Sequence, residues 1–591
     1  LSVLRKSCLN KMRSLLKEIK GYTKEVILAP LFKMLEAVFE LFVPLIMQRI
    51  IDIGIPDRNT AYILKMCLVL IALALIGLVC AATAQYFSAK AATGFSTRLR
   101  RKVFRHIQTL SFTDVDHIGA STLITRMTSD INQIQNGVNL TLRLFMRSPF
   151  VVFGAMIMAF TIDVKAALIF VVVIPLLSIV VFGIMLWTMP LYKKVQGALD
   201  RVTGKTRENL TGVRVIRAFS QEDEEAEAFI EVSETLKNFQ LIVGRISAFM
   251  NPVTYIIINI AIVVLMYTGA VRVSIGVLTQ GMVVALVNYM NQILVELIKL
   301  ANLIIQMTKA AACGNRVEAV LSGGSAAEEK ALTGKGTPEN TSAKTAVSSE
   351  FSVEFDHVSM NYNVASENAL SDVTFRVKKG ETVGIIGGTG SGKSTLVSLL
   401  PAFYPVSEGS LKVDGREVSD YDVSELRAKI GIVMQKAVLF QGTIRENLLW
   451  GREDATDADL WEALEKAQAA DVVRGKEGQL DAEVEQEGRN FSGGQRQRLS
   501  IARALVKKPE ILIMDDSASA LDFATDAKLR QAVSEIDPDM TIFIISQRAA
   551  SVMGADRIIV LDDGRVAAIG KHSELLENCD VYKEIYDSQF K

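Results

Sequence analysis

Six apolar stretches, each long enough to cross a bilayer as a helix, lie between residues 27 and 310, and none of that length follows Cys313. They fall near 27–53, 61–87, 146–163, 165–188, 247–270 and 281–308. As buried core helices of a soluble protein they would have too few charges to stay in water, so membrane spans are expected. The mean hydropathy of +0.28 agrees with a chain partly in lipid. Lys and Arg total 65 and so do Asp and Glu, a balance that argues against a nucleic-acid binder. Five scattered cysteines and four histidines give neither a disulfide framework nor a metal-ligand cluster.

The sequence divides the chain into four parts. Residues 1–24 are basic and carry Leu4, Leu15, Leu16 and Ile19, the pattern of an amphipathic helix on the cytoplasmic leaflet rather than of a signal peptide. Residues 25–320 form an all-α transmembrane domain with six spans. Residues 321–350 are small, polar and charged, a linker. Residues 351–591 alternate β-rich runs with charged helical stretches, as an α/β domain does.

About 58 polar residues separate spans two and three, and about 58 more separate four and five. Helical periodicity in VFRHIQTL and AEAFIEVSETLKNF predicts that the helices run on out of the bilayer, by about 35 Å at 1.5 Å per residue. These long segments are rich in Arg and Lys, from Arg98 to Arg105 and from Lys193 to Lys205, whereas the short connections hold only Arg58, Lys165 and Arg272. The positive-inside bias puts the long segments, both termini and the α/β domain in the cytoplasm of a multi-pass cell-membrane protein.

Gly387-Gly388-Thr389-Gly390-Ser391-Gly392-Lys393-Ser394 fits the P-loop pattern, after the apolar strand Thr382 to Ile386 and before an apolar helix starting at Thr395. Glycines let backbone N–H groups curl around phosphates, and the helix N-terminus adds positive potential. Lys393 reaches the β- and γ-phosphates, and Ser394 suits a Mg²⁺ ligand. Ile511 to Asp516 is an apolar strand delivering two carboxylates. Asp515 is placed to hold Mg²⁺ and Asp516 to orient an attacking water. Between these motifs, Phe491-Ser492-Gly493-Gly494-Gln495 opens a basic amphipathic helix and offers a second phosphate-facing N-terminus.

With these motifs and six spans, nearly the whole chain resembles the ATP-binding cassette (ABC) transporters, and most of all a half-size exporter of the bacterial multidrug type. The resemblance implies ATP and Mg²⁺ as ligands and an ATPase that drives transport by alternating access. It implies that Tyr362 stacks on adenine and that Gln435 touches Mg²⁺ alongside Ser394 and Asp515. Ser519-Ala520-Leu521-Asp522 resembles the loop that bridges two cassettes. Short coupling helices would sit near Phe112–Ile118 and Thr211–Ser220. Cassettes of this family pair head to tail, so that one chain's P-loop and the other's Ser-Gly-Gly turn share each ATP. A second half-transporter is therefore an implied partner, together with membrane lipid and an exported small hydrophobic or amphipathic molecule.

Two positions depart from the family pattern. Asp516 stands where the catalytic base is Glu, and Gln547 stands where the switch residue is His. The missing methylene withdraws the carboxylate by roughly 1.3 Å. A misplacement near 1 Å can cost about 100-fold in rate. Gln547 can hydrogen-bond a phosphate but cannot carry positive charge. The Phe491–Gln495 signature is intact. The pattern resembles the degenerate-site subunit of a heterodimeric exporter; a homodimer with slow turnover and a non-hydrolysing regulatory subunit are the alternatives.

Few charges interrupt the spans. Lys33, Glu36 and Glu40 share a face of span one. In span six, Asn288, Gln292, Glu296, Lys299 and Gln306 lie on or near one stripe. Both sets are expected to face the bundle interior. There they line a cargo cavity or pair within the bundle, as Glu296 can with Lys299 one turn away.

Overall fold

The computed structural model describes residues 17–322, 350–362, 368–517 and 521–590. The expected N-terminal amphipathic helix therefore lies mostly outside the described residues, as does nearly all of the expected linker. Residues Lys17–Tyr22 form a short 3₁₀ helix ahead of the first long helix. The chain separates into two compact units, one of residues 1–109 and 120–322, the other of residues 110–119 and 323–591.

The first unit is helical. Its long helices are α1 (Thr23–Arg49), α2 (Thr60–Ile107), α3 (Arg147–Ile162), α4 (Val164–Ala218), α5 (Glu222–Ala248), α6 (Met250–Ser274) and α7 (Gln280–Ser322). Five helical runs among the described residues are long and apolar enough to cross a membrane by length and composition: 60–107, 120–162, 164–218, 222–274 and 280–322. The predicted first span falls on α1. Lys33, Glu36 and Glu40 interrupt its apolar stretch, which keeps it outside that set of five. At 1.5 Å per residue the 55 residues of α4 run about 80 Å, far more than a bilayer needs. The excess is the helical extension expected from the sequence. Thr211 to Ala218 is simply the end of α4, so no separate second coupling helix exists there; the turn follows, with Ser220 at φ 53°.

Small residues let these helices approach closely. Ala155 and Ala159 on α3, Ala166 and Ala167 on α4 and Ala261 on α6 are buried against Phe170, Leu286, Tyr289 and Ile293. The Tyr289 hydroxyl donates to the Leu41 carbonyl at 2.6 Å, which satisfies the one polar atom of a fully buried ring. Toward the other end of α7, Arg316 grips Asp130 with two nitrogens, at 2.5 and 3.0 Å, and Arg126 adds a third bond at 2.9 Å.

The second unit is built on two main sheets. β1 (Phe351–Met360), β2 (Leu370–Lys378), β4 (Glu408–Val413) and β5 (Arg416–Glu417) form an antiparallel sheet in the order β2-β1-β4-β5. The other holds β3 (Thr382–Gly387), β6 (Ile430–Val433), β7 (Ile511–Asp515), β8 (Thr541–Ile545), β9 (Arg557–Asp562) and β10 (Arg565–Gly570), in the order β10-β9-β3-β8-β7-β6. All its pairings are parallel except β9 with β10. β3, β7 and β8 are almost wholly buried, as their unbroken Ile, Leu and Val runs require. In such a sheet ligands bind beyond the carboxyl ends of the strands. Both β3 and β7 end there in the predicted chemistry.

The short helix Phe112–Ile118 packs within this second unit. Ser111 caps it, accepting from the Asp114 N–H at 3.1 Å, and Gly119 ends it at φ 81°. Its Phe112 ring lies 4.4 Å from Phe403, and the Tyr404 hydroxyl donates to Asp116 at 2.6 Å.

Candidate functional site

β3 delivers Gly387 beside β9, where a Cβ would meet the Leu561 carbonyl oxygen at 2.2 Å, so no other residue fits. The loop then turns through Gly392 at φ 91°, a left-handed conformation that costs a Cβ-bearing residue about 1–2 kcal/mol, and helix α8 (Lys393–Leu399) begins. The free N–H groups of that first turn open into a cavity of about 350 Å³.

Lys393 is buried on this cavity. Its ammonium donates to the carbonyls of Gly387 at 2.9 Å and Gly388 at 2.6 Å. Burial lowers its pKa, opposed by the nearby Asp516 and Asp515. Ser394 Oγ donates to Asp515 at 3.0 Å, which ties α8 to the end of β7 across the intervening β8. Burial raises the Asp515 pKa. A buried carboxylate, a hydroxyl that already touches it and Gln435 on the same wall fit a Mg²⁺ ion by the chemistry of their oxygens. The parked lysine and the helix N-terminus fit polyphosphate.

Asp516 follows β7 at φ 45°, a left-handed position that Asp tolerates better than most residues. The Gln435 amide donates to its carboxylate at 3.4 Å. Gln547 reaches the same cavity from the end of β8. Thr389, Gly390 and Thr395 complete the loop side, and Tyr362 forms the rim. The Tyr362 hydroxyl shares a hydrogen bond with Thr395 Oγ1 at 2.9 Å, and its ring meets Tyr404 edge-on at 5.0 Å. Tyr404, which thus touches both the rim and the Phe112–Ile118 helix, was missed in the sequence because no motif contains it.

None of Phe491 to Gln495 lines this cavity. They open helix α9 (Gly493–Val506) elsewhere in the unit, with Phe491 buried as an anchor. Ser492 and Gln495 form a capping box: the Ser492 hydroxyl accepts from the Gln495 N–H at 3.3 Å, and Gln495 Oε1 accepts from the Ser492 N–H at 2.9 Å. The serine hydroxyl keeps its own proton to donate outward. Gly493 borders a second cavity of about 350 Å³, which Gln435 also reaches. Of the expected inter-cassette loop, Ser519 and Ala520 lie outside the described residues. Leu521 is buried, and Asp522 caps the helix Phe523–Ser534 by accepting from the Thr525 N–H at 2.9 Å.

Residues 26–297 match the ABC transporter transmembrane region, and residues 370–519 match the ABC transporter family. The chain is 34% identical over 580 residues to the uncharacterized ABC transporter ATP-binding protein YfiB of Bacillus subtilis (strain 168), covering 98% of this chain and 99% of that one. This chain belongs to the ABC transporters. It is also 30% identical over 587 residues to the putative multidrug export ATP-binding/permease protein YgaD of the same organism, with 98% and 99% covered. The transporter's fold matches that of a bacterial Atm1-family ABC exporter solved with ATP bound, at a TM-score of 0.78 and 23% identity over 96% of this chain and 99% of that one. Transmembrane and ATP-binding regions share one chain, the arrangement of a half-transporter, and domains of its ATP-binding family bind ATP.

The polar residues of the spans are brought together in part. Glu40, Asn288, Gln292, Glu296 and Lys299 line one cavity of about 500 Å³ in the first unit. Glu36 and Gln306 do not line it; the Glu36 carboxylate takes the Lys33 ammonium at 2.5 Å, a pairing between successive turns of α1. Sequence reasoning missed the centre of the network. Arg147, at the start of α3, donates to Glu296 and to Glu40, both at 2.5 Å, and Ser148 adds a bond to Glu296 at 2.8 Å. Glu296 also takes Lys299 at 2.9 Å, the pairing expected from their spacing. A guanidinium at the edge of an apolar run was the available signal.

Proposed function

We propose that this transporter is one half of a heterodimeric exporter whose own P-loop site holds ATP and turns it over slowly, while its signature completes the partner's site. One observation carries the reading. Asp516 and Gln547 both face the P-loop cavity, and the capped Ser492-Gly493-Gly494 turn does not. A chain built this way needs a second Ser-Gly-Gly turn to close its own site and offers a sound one to another chain. Export fits the name of the YgaD relative and the fold likeness.

Each residue has a task in this reading. Tyr362 stacks on the base, Lys393 and the α8 N-terminus hold the phosphates, and Ser394, Gln435 and Asp515 hold Mg²⁺. The metal, when bound, neutralises charge on the phosphate oxygens. Asp516 accepts the proton of the attacking water, from a carboxylate one methylene short. Gln547 donates a neutral hydrogen bond where a cation would stabilise the transferred phosphoryl group better. We count α1 as the sixth span, because the transmembrane-region match starts at residue 26. We assign residues 25–320 to the membrane domain and residues 351–591 to the cassette. The long extensions and the cassette are cytoplasmic.

ATPase assays on the pure chain and on the chain with its second half test this reading. The pure chain is expected to bind Mg-ATP with little turnover, and the complex to turn over at least about 100-fold faster, the scale set by a displaced base. Rapid turnover by the chain alone would overturn it. Orientation has its own test in a cysteine-free background. Asn59→Cys and Ser274→Cys should react with an impermeant maleimide outside intact cells, and Ser220→Cys only after permeabilisation. External labelling at 220 would reverse the topology.

A further inference from the structure

We propose that the cavity bordered by α1, α3 and α7 binds a zwitterionic amphiphile, an apolar body whose polar end carries both a protonated amine and an acidic group. The proposal rests on the transport reading only for calling this ligand cargo. The cavity, about 500 Å³, is large enough for a small molecule and has two kinds of wall. Val43, Pro44, Met47, Val151 and Val295 are apolar, while Glu40 and Lys299 bring opposite charges to the same space.

The exchange of partners is what selects the ligand. Glu40 and Lys299 have side chains 42% and 45% exposed, whereas Arg147 and Glu296 are buried at 7% and 4%. Glu40 takes its bond from Arg147, which also holds Glu296. Lys299 gives its bond to Glu296, which also holds Arg147 and Ser148. A ligand ammonium can therefore take Glu40, and a ligand acid can take Lys299, without leaving a buried charge unpaired. Stranding such a charge is the costly event, so these two exchanges are open and a direct attack on Glu296 or Arg147 is not. A lone cation at Glu40 would feel Lys299, and a lone anion would feel Glu40. A zwitterion satisfies both.

The full-length chain in lipid nanodiscs, without ATP, is titrated with three probes sharing one tail: Nε-dodecanoyl-lysine, its methyl ester and its Nα-acetyl derivative. They are zwitterionic, cationic and anionic, and empty nanodiscs provide the blank. The zwitterion is expected to bind about tenfold more tightly than either relative, a gap of roughly 1.4 kcal/mol. Glu40→Gln should erase its advantage over the anion, and Lys299→Gln its advantage over the cation. Glu40→Gln keeps side-chain length and Lys299→Gln shortens it by a single atom; affinities are compared as ratios within one preparation, so partial unfolding moves all three together. Equal affinities, or a zwitterion preference that survives both substitutions, would overturn the proposal. Nanodiscs containing phosphatidylethanolamine distinguish the sources: competition with the probe points to a lipid headgroup, and its absence to a free zwitterion, the site standing in either case. Because ATP is absent, a failed ATPase test would leave this result intact.

Discussion

With the second half present, Gly493→Asp should reduce ATP turnover by at least about 100-fold, the scale for losing one preorganised donor at a developing oxyanion. The new carboxylate would sit on the first residue of α9, beside the Ser492 cap, where the free N–H groups now present positive potential. It would face the γ-phosphate held by the partner's P-loop, and repulsion would replace attraction. Lys393→Ala, in contrast, should weaken ATP holding at this chain's own P-loop site, the slow one under the heterodimer proposal, and lower turnover less. Asp516→Glu should restore hydrolysis there only in part. It lengthens the base, but Gln547 remains neutral and Glu tolerates φ 45° less well than Asp. Steady-state ATPase assays on the three complexes check the order. A Gly493→Asp complex that turns over normally would show that this signature serves no active site.

Arg147→Met should destabilise the membrane unit by roughly 3–5 kcal/mol, the usual cost of removing one partner of a buried ion pair. The side chain is 7% exposed, and its loss would leave Glu296, 4% exposed, with Lys299 and Ser148 alone. The clearest readout is non-additivity. Arg147→Met/Glu296→Gln should melt at a higher temperature than Arg147→Met by itself, because the second change removes the charge that the first one stranded. Thermal unfolding of the purified variants in detergent measures both. A double variant less stable than either single one would mean that the two side chains do not act as a pair.

The sequence announced the cassette better than the membrane unit, for a physical reason. A phosphate-binding loop is local: strand, glycines, lysine and helix are consecutive, so Gly387 to Ser394 could be read directly. The capping box of Ser492 and Gln495 lies within four residues and follows the same rule. Along the spans, helical periodicity put Glu296 and Lys299 one turn apart, and they bond. Periodicity places a residue on a face of its own helix and says nothing of which helix it will meet. Arg147 bonds partners 149 and 107 positions away, so nothing local named it as their centre. Lys33, Glu36 and Glu40 were grouped by that same periodicity, and within the group Lys33 took Glu36 while Arg147 took Glu40. Thr211 to Ser220 looked like a separate helix by resemblance, but Gly212 does not break the helix and α4 continues to Ala218.

Helix α7 is continuous from Gln280 to Ser322 and meets two fixed appointments, Glu296 with Arg147 and Arg316 with Asp130. Each added residue turns a helix by about 100°, so a single insertion or deletion between positions 299 and 316 would swing one of these side chains away from its partner. A change of seven residues, close to two whole turns, would restore the facing but slide the side chain about 10 Å along the axis, past its partner. Between cavity and clamp, α7 thus acts as a ruler of fixed length as well as fixed phase.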